Sequence, residues 1–164
     1  MTGTPGRARL WDTVGLLARF GLAAVWLSAG IPKALDARET TVAVRAYQVL
    51  PEGLVPVVAG VLPFLEIALA LLLIAGLATR LAAVLSAVLL VIFIAGVAQA
   101  AIRGLTIDCG CFGGGGDVAP GQTAYTWEIV RDLGFLALAG FLVARPRTAF
   151  SVDGWTARRA GGPA

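Results

Sequence analysis

Four long apolar runs, at residues 13–31, 54–77, 81–102 and 124–144, alternate with short polar connections. A helix needs about 20 mostly apolar residues to cross a bilayer, so each run predicts a membrane-spanning helix. Three of the runs carry charge. Arg19 interrupts the first, Glu66 sits near the middle of the second, and Glu128, Arg131 and Asp132 lie in the first half of the fourth. The third has none.

The connections predict the rest of the layout. Pro32-Lys33 marks the exit of the first span. Between spans one and two, Thr40 to Leu50 mixes polar and apolar residues and ends at Pro51. This reads as a short helix lying at the interface, with Tyr47 as an aromatic anchor. Pro56 falls in the first turn of the second span, where proline is tolerated, and Pro63 predicts a kink. Gly76 to Arg80 predicts a tight turn that makes spans two and three antiparallel neighbours. The longest loop, 104–123, joins spans three and four. It holds Cys109-Gly-Cys111 followed by four glycines, Gly113 to Gly116. The predicted organisation is a cytoplasmic segment over 1–12, a helical membrane domain over 13–144 and a cytoplasmic, disordered tail over 145–164.

Composition agrees with the pattern. The chain is 58% hydrophobic and 14% charged, against about 25% charged in soluble domains. The net charge of +3 comes from scattered basic residues, which argues against nucleic acid as a partner and for a lipid bilayer. Lys and Arg near the span ends divide unequally. Arg7, Arg9, Arg80, Arg145, Arg147, Arg158 and Arg159 fall on one side, and Lys33, Arg38, Arg45 and Arg103 on the other. The positive-inside rule then places both termini in the cytoplasm and the cysteine loop outside. The first apolar run reads as a retained span, because it is nearly full length and no small-residue cleavage site closes it.

The chain has no histidine, which removes the usual general base and the commonest metal ligand. Its only two cysteines are Cys109 and Cys111. On the outer face of a membrane, disulfides persist. An i,i+2 pair can close if the backbone bends, which Gly110 allows. Such a crosslink removes little chain entropy, so it is a poor staple, and thiol exchange is the better reading. Two inert thiols are the bland alternative. Metal binding is not expected, since structural zinc wants four ligands. Asp108 beside the pair raises the thiol pKa and can relay a proton.

Glu66 must face the bundle interior, because a charge at that depth costs at least about 2.5–3.5 kcal/mol. An ion pair with Arg19 is one reading; a protonatable group lining a quinone or proton path is the other. Glu128, Arg131 and Asp132 share a helix face. With Gln99 and Lys33 at the same end, they predict either a polar pocket under the cysteine loop or charges that pair among themselves. Tyr125 and Trp127 read as an interface belt.

Arg19, Ser28-Ala-Gly-Ile-Pro-Lys33, Tyr47, Leu50-Pro51, Pro63-Phe-Leu-Glu66, Asp108-Cys-Gly-Cys-Phe-Gly113 and Arg131-Asp132 together resemble the MauE (methylamine utilisation) branch of DoxX-like membrane proteins. The resemblance covers about residues 13–144. It implies an all-α fold, a four-helix membrane bundle with a short interfacial helix, similar in architecture to VKOR and DsbB proteins. It also implies thiol oxidation or disulfide maturation outside the cytoplasm with a thioredoxin-like, DsbA-type partner, and a family link to maturing methylamine dehydrogenase. DsbB-type enzymes relay electrons through two cysteine pairs, and this chain has one.

The function expected is a thiol–disulfide oxidoreductase in which Cys109 and Cys111 exchange with a partner dithiol. Asp108, Phe112, Glu66, Arg131, Asp132, Glu128, Arg19, Lys33 and Gln99 support the loop or an electron acceptor, for which a quinone is the candidate cofactor. The alternatives are a non-enzymatic scaffold that anchors a secreted redox partner, and a small quinone-binding or transport subunit built around Glu66.

Overall fold

The computed structural model describes residues 5–146 and 151–152, with side chains from residue 10 onward. Five helices and a two-stranded hairpin follow in the order α1 (Pro5–Leu35), α2 (Ala37–Ala46), α3 (Val55–Ala75), α4 (Thr79–Ile102), β1 (Ile107–Asp108), β2 (Gly116–Asp117) and α5 (Tyr125–Ala144). Among the described residues the fold is all-helical apart from that hairpin. The side chains of Arg7 and Arg9, and Arg147, Arg158, Arg159 and most of the expected disordered tail, lie outside the described residues.

Among the described residues, three helices are long and apolar enough to cross a membrane: Leu10–Leu35 of α1, then α3 and α4. The fourth apolar run also folds as one helix, α5, of 20 residues. Its first two turns carry Glu128, Arg131 and Asp132, so composition does not mark it as a span in the way it marks the other three.

The helices run antiparallel to their neighbours. Near the start of α1, Trp11 stacks on Phe141 near the end of α5, with ring centroids 6.1 Å apart, and Arg145 lies over the Trp11 ring at 4.4 Å. Near the end of α1, Gly30 lies against the Pro63 carbonyl and the Glu66 Cβ of α3. Between these levels the core is made of Leu22, Ala23 and Trp26 of α1, Leu69, Ala70 and Leu73 of α3, Ala82, Ala83 and Leu90 of α4, and Ala139 and Leu142 of α5. Small residues at these positions let the backbones approach, which is how membrane helices gain packing when lipid is as apolar as they are. The buried Trp26 indole N–H donates to Ser86 Oγ at 2.8 Å, so its polar atom is satisfied inside the core.

The outward faces carry Leu17, Val57, Val61, Phe64, Leu71, Leu81, Val88 and Val91, all exposed. A surface this apolar is stable against lipid rather than water. The protein is a multi-pass membrane protein.

The elements differ from the pattern-based expectation at three places. Helix α1 continues through Pro32 to Leu35 instead of ending there. Proline removes one intrahelical bond, yet the chain stays helical and the Asp36 N–H reaches the Pro32 carbonyl at 3.0 Å. Asp36 then caps α2, its carboxylate accepting from the Glu39 N–H at 2.8 Å. The interfacial helix accordingly starts earlier than expected and ends before Tyr47. Finally, the cysteine loop is not plain coil but a small antiparallel hairpin that pairs Ile107 with Asp117 and Asp108 with Gly116. The expected turn after α3 is present. Gly76 adopts the left-handed conformation at φ 64°, where its N–H caps the Leu72 and Leu73 carbonyls.

Candidate functional site

The hairpin closes over the end of the bundle formed by the C-termini of α1 and α4 and the N-termini of α3 and α5. Ile107, fully buried, anchors its first strand. The Tyr125 hydroxyl at the start of α5 fixes the approach: it donates to the Leu105 carbonyl and accepts from the Ile107 N–H. Tyr125 is thus a tether for the cysteine loop, a role the aromatic-belt reading does not include. Trp127 is the exposed aromatic of the two.

The loop is pressed closely onto α2. Gly110 has φ 64°, and a Cβ there would come within 2.8 Å of the Ala43 Cβ and 2.9 Å of the Gly114 carbonyl oxygen. Gly115, at φ 105°, would meet Ala43 in the same way at 2.7 Å. The glycines therefore bring the loop backbone onto the chain's own helix; they are packed rather than open.

Cys109 and Cys111 are both free thiols, half-buried. The Cys111 backbone N–H points back to Cys109 Sγ at 3.2 Å. The two sulfurs are not equivalent. A hydrogen bond from the Cys111 thiol lowers the Cys109 pKa, burial opposes it, and the Cys111 N–H and the Arg131 side chain lower it further. The net effect leaves Cys109 below the ordinary thiol range. Cys111 is pushed strongly up, by its hydrogen bond to Cys109 first and by burial second. Glu128 opposes ionisation of Cys109.

Helix α5 supplies the charged neighbours. Glu128 and Asp132 are buried, and Arg131 Nε bonds the Asp132 carboxylate at 2.9 Å. The Arg131 guanidinium stacks over the Phe112 ring at 4.6 Å, and Phe112 meets Phe135 edge-on at 6.5 Å. Phe112 thus holds the far side of the cysteine turn against α5. Asp108, Cys109 and Glu128 bring their ligand atoms within 4.8 Å of one another. That is a set a cation could use, although the positive charge of Arg131 beside it works against one.

Tyr47 joins the loop to α4. Its hydroxyl donates to the Cys109 carbonyl at 3.0 Å, while its own carbonyl accepts from Gln99 Nε2 at 3.0 Å. Arg103 bonds Gln99 Oε1 and Gln48 as well. Burial and then the neighbouring cysteines push the Tyr47 hydroxyl pKa up, so it remains a donor. Gln99 therefore acts through Tyr47 and not as part of a pocket with α5.

Lys33 lies deeper. Its Nζ bonds Glu66 Oε1 at 2.6 Å, with side-chain exposures of 6% and 0%, and sits 5.5 Å from the Phe93 ring centre. The Glu66 partner is thus Lys33, and the expected pairing with Arg19 is not formed. Fourteen residues of helix separate Lys33 from Arg19, roughly 21 Å at 1.5 Å per residue. The Arg19 guanidinium lies beside Gly76, at the other end of α3.

Between these groups is a cavity of about 160 Å³, lined mainly by apolar side chains of α2, α3 and α4, with Cys109, Gly110 and Cys111 on one wall and Lys33 on another. Glu128, Arg131 and Asp132 do not line it. The single polar pocket entertained from sequence is therefore two environments: a charged cluster on α5 behind the cysteines and an apolar cavity in front of them.

Comparison with known proteins places the chain in a family. The family model described as Methylamine utilisation protein MauE matches residues 11–145. The chain is 41% identical over 98 residues to the methylamine utilization protein MauE of Paracoccus denitrificans, covering 59% of this chain and 53% of that protein. It is 38% identical over 100 residues to the MauE protein of Methylophilus methylotrophus, covering 60% of this chain and 53% of that protein. The chain spans about half the length of these curated relatives. No solved structure matches it. The family model extends over nearly all of the described helices and the cysteine hairpin, and on that ground the chain belongs to the MauE family of methylamine utilisation proteins.

Proposed function

We propose that this protein is a membrane thiol–disulfide exchange protein, with Cys109 as the attacking sulfur. The observation that carries this reading is the asymmetry of the pair. The Cys111 N–H and thiol both direct hydrogen bonds at Cys109, and Arg131 stands beside it. A thiolate is the nucleophile in disulfide exchange, and the groups around Cys109 favour its thiolate over that of Cys111. Cys109 attacks a partner disulfide to form a mixed disulfide, and Cys111 resolves it. In the opposite direction, a partner dithiol is oxidised by the Cys109–Cys111 disulfide. Both directions conserve two electrons and two protons between the pairs.

The proposed topology has α5 as a fourth span, a four-helix membrane bundle over 13–144, both termini in the cytoplasm and the hairpin outside. Arg80 and Arg145 at one end and Lys33, Arg38, Arg45 and Arg103 at the other are the described charges that bear on it. Apolar Val130 and Leu133 on the exposed face of α5 support a lipid contact there. The partner proposed is an exported thioredoxin-like protein. The relatives' names suggest methylamine utilisation as the setting, and an exported protein of that metabolism whose disulfides must mature would be the eventual substrate.

The test is thiol labelling from the outer face of intact cells, before and after mild reduction, followed by exchange of the purified protein with a reduced thioredoxin-like protein. Labelling that requires reduction is expected, together with a mixed disulfide trapped between Cys111→Ser, but not Cys109→Ser, and the oxidised form of the thioredoxin-like protein, whose disulfide Cys109 attacks. Cysteines reached only from the cytoplasm would overturn the topology. Unchanged exchange in both variants would overturn the function.

A further inference from the structure

The cavity in front of the cysteines has a size, a lining and an entrance that together select a ligand. Its volume, about 160 Å³, is close to that of an engineered apolar cavity of about 150 Å³ that takes up a benzene ring. Leu62, Phe93 and Gly96 form much of the apolar surface. Ile92 of α4 and Val49 of the α2–α3 connection line it too and are exposed at 57% and 56%. The way in is therefore apolar, and a ligand dissolved among lipid chains can enter sideways.

The walls of this cavity are otherwise short of polar groups, yet two kinds of reactive group reach it. Cys109 and Cys111 lie on one side, and Lys33, 6% exposed, on another. The ammonium is already bound to Glu66 Oε1, but it has three protons to donate. Behind it, the second Glu66 carboxylate oxygen is buried and has no hydrogen-bond partner. An ion pair that only tied α1 to α3 would not need to open onto a cavity beside two thiols. A carbonyl oxygen placed in that cavity would give the ammonium a second acceptor.

We infer that this cavity binds the ring of a lipid-soluble quinone, which takes the electrons of the Cys109–Cys111 dithiol, with Lys33 donating a hydrogen bond to a ring oxygen. The inference rests on the proposed exchange reaction and names its electron acceptor. The chemistry balances within the site. The S–S bond forms between Cys109 and Cys111 as two electrons leave the sulfurs for the ring. The two thiol protons released are matched by two protons gained at the ring oxygens, giving a hydroquinone and a disulfide. Lys33, backed by Glu66, is placed to pass one of those protons. The single cysteine pair suffices because the ring reaches it directly, with no second pair as relay.

The test uses the full chain in lipid nanodiscs. The protein is reduced, freed of reductant and mixed with a benzoquinone carrying a ten-carbon alkyl tail. Loss of quinone absorbance and loss of free thiols are followed together. One hydroquinone formed per pair of thiols consumed is expected. Leu62→Trp, which fills the cavity without touching the cysteines, is expected to slow quinone reduction at least tenfold while leaving exchange with a reduced thioredoxin-like protein unchanged. Lys33→Met combined with Glu66→Gln removes the charges together and is expected to slow the quinone step with exchange retained. If exchange is intact but the wild-type protein does not reduce the quinone, or Leu62→Trp reduces it at the normal rate, the quinone site is wrong and the exchange function stands. If quinone is reduced but the reduced thioredoxin-like protein is not oxidised, the partner reaction is wrong and the cavity assignment survives.

Discussion

The two ends of the helical bundle are built on different principles. At the end that carries Gly76, Leu73, Ala82, Ala83, Ala139 and Leu142 are all but inaccessible, Arg19 is buried beside Gly76, and that left-handed glycine caps the αα-turn. At the end that carries the hairpin, charged and reactive groups are gathered. Lys33, Glu66, Glu128 and Asp132 are buried there, two thiols are half-buried, and a cavity remains open between them. Inside a membrane, buried charge and unfilled space both work against stability. The Gly76 end is the more tightly packed, and the hairpin end gathers the thiols and the cavity on which the proposed exchange would rest.

The largest effect that would break this comparison concerns the sulfurs. Cys109→Ser is expected to reduce exchange to the uncatalysed rate, whereas Leu73→Ala at the Gly76 end is expected to leave the exchange rate of the folded protein unchanged. Stopped-flow measurement of exchange with a reduced thioredoxin-like protein decides between them. A Cys109→Ser protein that exchanges normally would remove the functional distinction between the ends.

Charge burial comes next. Glu66→Ala leaves Lys33 buried without its partner and is expected to destabilise by about 3–5 kcal/mol. Lys33→Met with Glu66→Leu is expected to recover most of that loss, because a well-packed apolar pair avoids desolvation of both charges. Thermal unfolding in detergent measures both. Equal destabilisation by the single and the double variant would show that packing, not charge, holds this level of the bundle.

Packing is the third contrast. Leu73→Ala at the Gly76 end is expected to cost about 2–5 kcal/mol. Leu62→Ala, beside space that is already empty, is expected to cost about 1 kcal/mol, nearer the ordinary mutational mean. Similar losses at both positions, read by the same unfolding assay, would mean that the cavity is filled in the membrane.

A smaller effect belongs to the loop. Gly110→Ala places a Cβ at positive φ against Ala43. It is expected to cost about 1–3 kcal/mol, mostly as local opening of the hairpin. Faster maleimide labelling of Cys111 with little change in melting temperature is the expected signature.

The smallest effect is a shift along the pH axis. The Cys109 pKa is lowered, so its thiolate persists below the ordinary thiol range and alkylation slows only as pH falls through that lowered value. Arg131→Met removes one of the groups that lowers it. The alkylation midpoint is then expected to move to higher pH. A midpoint that does not move would assign the effect to the Cys111 hydrogen bonds alone.

The sequence by itself determined the membrane class, the four helical runs to within a few residues at most ends, the turn at Gly76 and the placing of Cys109-Gly-Cys111 in one long loop. Each is a local property: apolar run length, a glycine at a helix end, two adjacent thiols in a long loop. Only the tertiary structure decided who meets whom. Both Arg19 and Lys33 are basic residues on α1 that could face Glu66, and the register of α1 against α3, where Gly30 seats on Pro63, selected Lys33. Tyr47 and Tyr125 look like interfacial anchors in one dimension and hold the cysteine loop in three. The hairpin was not legible, because its strands are two residues long and its glycines carry no hydrophobic period. The cavity was not legible either. It is bounded by residues from three helices and the hairpin, and empty space leaves no mark in any one of them.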